Sequence, residues 1–142
     1  MFKKFFSKKN KDTEQFSGAD ILIAALLIHA AKIDENYTDN EKQIIKKAII
    51  NLKQIAPEKA EELIKKAEVK EKDSNQIVEF TKEIKKNPMD YRIKVIEILW
   101  KIVYSDGSSD VYESNLIRRV CGLLYVSDKE SGEIKQRIKN TF

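Results

Sequence analysis

Two pairs of carboxylates stand at matching places in this sequence. Asp34 precedes Glu41 by seven residues, and Asp106 precedes Glu113 by the same seven. If each aspartate closes one helix and each glutamate opens the next, the turn between them brings both onto one surface. Two such surfaces related by symmetry would assemble four carboxylates, whose mutual repulsion raises their pKa values unless positive charge compensates. Ligation by oxygen alone suits a hard divalent ion, Ca²⁺ or Mg²⁺. Zinc is set aside, because the chain has one cysteine, one histidine and no CxxC pair. The loop Asp106-Gly107-Ser108-Ser109-Asp110 has part of an EF-hand pattern. Glu113 comes too early for that loop's last ligand, however, and Gly107 is misplaced, so this is not an EF-hand.

The same acids admit a structural account. Glu41 and Glu113 each fall at the third position of an expected helix, where a carboxylate bonds the cap residue's N–H and favours the positive helix end, for about 1 kcal/mol. Asp34 and Asp106 can shape turns. Lys46 with Arg118 and Lys47 with Arg119 recur in register and offer ion pairs. At the level of residues, ion binding and capping both stand.

The elements that position these acids are helical. Glycine and proline are scarce, and charged residues make up 35% of the chain, a balance suited to amphipathic helices. Thr38 with Glu41, Asp73 with Gln76, Asp110 with Glu113 and Ser127 with Glu130 read as capping boxes or close variants, and Pro57 and Pro88 fit first helical turns. The spacing predicts seven helices, roughly over 18–33, 39–54, 57–70, 74–86, 88–105, 111–124 and 128–139. Two of them, around Ile21 to Ala31 and Ile93 to Val103, are apolar nearly all round and belong at the centre; the others carry one apolar stripe.

A 72-residue shift lays the pair from Ile21 to Leu52 on the pair from Ile93 to Leu124. Asp34 falls on Asp106, Thr38 on Asp110, Glu41 on Glu113, Leu27 on Leu99, Ile28 on Trp100, and Ile45 on Ile117. Each half is a buried helix, a short turn with an aspartate, and an amphipathic helix. The fold expected is a compact all-α bundle of two helical hairpins about an approximate two-fold axis, with the third and fourth helices connecting them. In this register Cys121 meets Ile49, an apolar stripe position, and reads as a packed thiol. His29 meets Lys101 and reads as a surface or packing residue, with no nucleophile beside it.

The 142 residues suffice for one core, and the net charge of +4 is confined to the N-terminus: Met1 to Asp12 holds five lysines and one aspartate. A neutral body lacks the basic face that nucleic acid requires, so no nucleic-acid partner is expected. Residues 1–16 form a basic and aromatic tail ahead of a domain over 17–142. The tail lacks the features of a secretory signal. Phe2, Lys3, Lys4, Phe5, Phe6, Lys8 and Lys9 can lie on an anionic membrane surface as a short anchor, at about 1 kcal/mol per lysine; a solubilising tail is the alternative. The run from Ala19 to Ala31, interrupted by His29, is too short for the roughly 20 residues of a membrane span. A cytoplasmic location, with possible membrane association through the tail, follows.

Ile98 to Gly107, Tyr112-Glu113, Leu116 to Val120 and Leu123 to Asp128, together with Ala30-Ala31 and the segment Asp34 to Glu41, give the chain after its tail a specific likeness. It resembles the TerB-like family, named for tellurite-resistance operons. The resemblance implies a compact all-helical bacterial domain linked to stress and tellurite responses, with metal binding proposed through acids that correspond here to Asp34, Glu41, Asp106 and Glu113. It implies no enzymatic activity. Glu35 stands where the family commonly has an Asp-Gly turn, and His29 where a glutamate is often seen. The function expected is a binding module, not an enzyme, that takes a divalent cation and engages an unidentified protein partner. The alternative is a peripheral inner-membrane adaptor that docks through its tail without a metal. No nucleophile motif, phosphate-cradling loop or cofactor fingerprint points to catalysis.

Overall fold

The computed structural model describes residues 18–33, 37–73, 77–105 and 111–141. Among these described residues seven α-helices follow in order: α1 (Gly18–Ala31), α2 (Asp39–Lys53), α3 (Pro57–Asp73), α4 (Ile77–Lys82), α5 (Met89–Tyr104), α6 (Val111–Leu124) and α7 (Asp128–Lys139). A 3₁₀ turn over Ile84–Lys86 links α4 to α5. No strand occurs among the described residues, and the fold is all-α.

The apolar pattern decides which helices lie inside. In α1, Ile23 through Ile28 are all buried, as are Ala30 and Ala31, because α2, α3, α4 and α5 all pack against it. The second central helix, α5, buries Val95, Ile96, Ile98, Leu99, Trp100, Ile102, Val103 and Tyr104 against α1, α2, α6 and α7. It is less enclosed than its composition suggests: Lys94 and Lys101 are exposed and Glu97 half-buried. The stripe of α2 turns Ile45 and Ile49 inward, and the corresponding stripe of α6 turns in Ile117 and Cys121. Burial pushes the Cys121 thiol up from its usual range, which keeps it protonated and unreactive.

Most helix boundaries fall where the punctuation placed them. The Thr38 hydroxyl accepts from the Glu41 N–H at 3.1 Å, while the Glu41 carboxylate accepts from the Thr38 N–H at 2.9 Å, a reciprocal capping box. Ser127 accepts from the Glu130 N–H at 3.1 Å, which completes half of such a box. Pro57 opens α3, whereas Pro88 caps α5 from just outside the helix. Asp73 closes α3; Gln76 and Asp110, its supposed partner and the supposed cap of α6, lie outside the described residues.

The helix expected over 74–86 is broken. The Thr81 hydroxyl donates to the carbonyls of Ile77, at 2.9 Å, and Val78, at 3.2 Å, a back-bond that weakens and bends a helix. Ile84 is fully buried, so the chain tightens into a 3₁₀ turn that keeps this anchor in the core. The Asn87 amide then donates to the carbonyls of Glu83 and Ile84 and ends it.

The internal repeat runs one helix further than the hairpins. Both α2 and α6 end on a non-glycine residue in the left-handed region, Gln54 with φ 55° and Tyr125 with φ 59°. These two are 71 residues apart, and from there the register holds at 71: the buried residues Ala60, Leu63 and Ala67 of α3 answer to the buried Ser131, Ile134 and Ile138 of α7. Each half is therefore a three-helix unit, with α3 laid along α1 and α7 along α5. A single-residue deletion separates the two registers.

Candidate functional site

Where α1 ends, α2 begins and α3 passes over both, charged groups gather. Helix α3 buries Ala60, Leu63, Ile64 and Ala67, and on the same face, one turn further, it buries Glu71. A buried carboxylate must be paired. The Lys32 ammonium, just beyond α1, donates to Glu71 Oε1 at 2.9 Å, and His29 Nδ1 lies 3.1 Å from Oε2. Burial alone would raise the Glu71 pKa; the hydrogen bonds and charges of Lys32 and His29 outweigh it and hold the carboxyl below its ordinary value. The ring of His29 also sits 6.0 Å from that of Phe80, so the histidine is a packed and partnered residue.

One turn earlier on α3, Glu68 accepts from the Tyr37 hydroxyl at 3.1 Å and pairs with Lys42 at 3.4 Å. The Lys42 ammonium lies 5.0 Å from the centre of the Tyr37 ring. Burial first, then the negative charges of Glu68, Glu41 and Glu71, push the Tyr37 phenol well above its usual range. Tyr37 is thus surrounded by Glu41, Glu68 and Glu71, of which Glu68 is paired with Lys42 and Glu71 with Lys32 and His29.

Two shallow depressions lie between the halves. One, of about 380 Å³, runs between α2 and α5; the other, of about 370 Å³, is lined by His29, Ile33, Asn115, Leu116 and Arg119 and joins the end of α1 to α6. They are counterparts in the repeat: Ile44, Lys47 and Lys101 of the first correspond in the 72-residue register to Leu116, Arg119 and His29 of the second.

Of the four acids singled out from the sequence, Glu41 is 4% exposed and caps α2. Glu113 takes the equivalent third position of α6, which begins at Val111. Asp34, Asp106 and the side chain of Glu113 lie outside the described residues, as do Phe2, Lys3, Lys4, Phe5, Phe6, Lys8 and Lys9. Among the described residues no group of three or more His, Cys, Asp or Glu side chains is placed to hold a metal ion. No described helix is long and apolar enough to cross a membrane.

Sequence reasoning missed Glu68 and Glu71. Helix α3 is so rich in Glu and Lys that both read as solvent-facing. The signal was positional: Glu71 continues the series Ala60, Ile64, Ala67, and a carboxylate on an apolar stripe marks a buried polar contact.

Comparison with curated proteins and with solved structures gives no match. The family model described as tellurite resistance protein TerB matches residues 20–136, from the first turn of α1 into α7. With that match spanning both three-helix units and the two acidic turns, the chain belongs to the TerB family.

Proposed function

We propose that this TerB-family domain works as a binding module, not an enzyme. It holds a divalent cation, Ca²⁺ or Mg²⁺, at its acidic turns and engages a protein partner. The supporting observation is the depression that joins the halves: Ile33, next to Asp34, and Asn115, two residues beyond Glu113, line it together. Tyr37, three residues beyond Asp34, lies among Glu41, Glu68 and Glu71 at the same end of the molecule. Hard oxygen donors match Ca²⁺ or Mg²⁺. By its family, the module acts in tellurite and stress responses.

Calorimetric titration with Ca²⁺, Mg²⁺ and Mn²⁺ tests the cation. Saturable heat is expected for the intact protein and its loss in Glu41→Gln with Glu113→Gln. Glutamine still completes a capping box, so the helices persist and circular dichroism is unchanged. No heat from the intact protein rejects the cation.

A second reading keeps the body as an adaptor and places Phe2, Phe5, Phe6 and their lysines on the anionic inner leaflet of a membrane. It is favoured by the position of the net charge, all of which lies in Met1 to Asp12. Sedimentation with anionic liposomes should then fall when residues 1–11 are deleted; unchanged partitioning rejects it.

A further inference from the structure

The groove between α2 and α5 has an apolar floor and a basic rim. Ile44, Ala48 and Leu52 recur at every fourth residue of α2, all three half-buried, and Ile98 of α5 completes the floor. At 1.5 Å per residue this strip is about 12 Å long, a little over two turns of a facing helix. Lys47 on one wall and Lys94 and Lys101 on the other are exposed. The one acid in the lining, Glu97, is already taken by Arg137, whose Nη2 donates to it at 2.6 Å.

Among the described residues none of these three lysines has a carboxylate partner. Elsewhere Lys32, Lys42, Lys53 and Lys70 each have one. Three exposed lysines without a carboxylate partner among the described residues, set around an apolar strip, attract an occupant that is apolar on one side and negative on its flanks. The N-terminal segment does not fit, since Lys3, Lys4, Lys8 and Lys9 would meet Lys47, Lys94 and Lys101.

We propose that this groove docks an acidic amphipathic helix of a partner protein. Its apolar residues enter the strip of Ile44, Ala48 and Leu52, and its flanking carboxylates pair with Lys47, Lys94 and Lys101. This rests on the partner-binding part of the reading above and is independent of the cation. Helix-in-groove docking of this kind draws affinity from the apolar anchors and orientation from the charged rim.

The test is fluorescence anisotropy of the full chain, in EDTA, with a labelled helical peptide of about 15 residues. The peptide carries leucines at i, i+4 and i+8 with glutamates on either side. Saturable binding is expected, weakened about tenfold or more when the glutamates become glutamines, when Lys47 and Lys101 are both changed to Glu, or when salt is raised to 1 M. Ala48→Trp, which fills the strip, should abolish it. Thermal melts identify any variant that has lost its fold, and the glutamine peptide tests the charge requirement on the unaltered protein. Absence of binding, equal affinity for the glutamine peptide, or folded variants that bind as tightly as the parent overturns the proposal. So does a groove whose lysines are needed for anionic vesicles and not for the peptide. Performed without divalent ions, the experiment fails separately from the calorimetric titration.

Discussion

The two halves fasten their third helix to their first by different chemistry. In the first half, Glu71 of α3 is buried beneath Lys32 and His29, an ionic latch. In the second, Trp100 of α5 donates its Nε1 hydrogen to Ser131 of α7 at 3.2 Å and stacks against Tyr104 at 6.0 Å. Lys32 and Tyr104 occupy the same place in the repeat. A repeated backbone thus tolerates a charge-based joint in one copy and an aromatic joint in the other, because helix packing requires only that the contact be filled and its polar atoms satisfied. The difference also suits the proposed site: charges are kept where the first acidic turn lies.

Trp100→Ala should break the comparison hardest. The side chain is 5% exposed, so truncation removes a large buried surface and leaves a cavity, for a loss of about 3–5 kcal/mol in urea unfolding. Glu71→Ala should cost less, about 1–3 kcal/mol, because Lys32 and His29 retain some access to water when their partner is removed. Replacing Lys32 and Glu71 together by methionine should recover most of that loss, since no unpaired charge remains.

Acid separates the latches without truncation. The folded-state pKa of Glu71 is lowered, so its contribution is complete above its unfolded value of 4.5 and disappears as pH falls from there through the folded value. Glu71→Gln should flatten the acid limb of stability against pH, and Trp100→Ala should leave that limb's slope unchanged while lowering the whole curve. Unfolding free energies measured from pH 7 down to pH 3 distinguish the two. The smallest effects are expected from Tyr37→Phe, which removes one partner of a hydrogen bond, and Ser131→Ala, whose hydroxyl meets Trp100 and Cys121, at about 0.5–1.5 kcal/mol. Equal acid sensitivity of the Gln variant and the parent would show that the first latch is not ionic.

Much of this could be read from the residues. The apolar runs around Leu27 and Leu99 placed the two central helices, and the 72-residue register aligned α1 and α2 with α5 and α6, because burial demands repeat as residue types. The third member of each unit was harder to see. Ala60, Leu63 and Ala67 share burial with Ser131, Ile134 and Ile138 but little chemistry, and the shift to 71 falls at Gln54 and Tyr125, whose left-handed backbone no residue type announced. Glu41 was legible as a cap, since the capping box is local in sequence; Glu68 and Glu71 were not, since their partners lie 26 to 42 residues away.

The order of helices, the caps at Thr38 and Ser127, the correspondence of α1 and α2 with α5 and α6, and the inward turn of Cys121 were thus determined by the sequence, through contacts within a few residues and the helical period. Tertiary structure alone decided which of many Lys and Glu side chains lose their water, that α3 pairs with Lys32 and Tyr37, and that Lys47, Lys94 and Lys101 converge on one groove. Charge on a helix surface carries no address: only the packing of a second helix determines whether it is paired, buried or left to attract a partner.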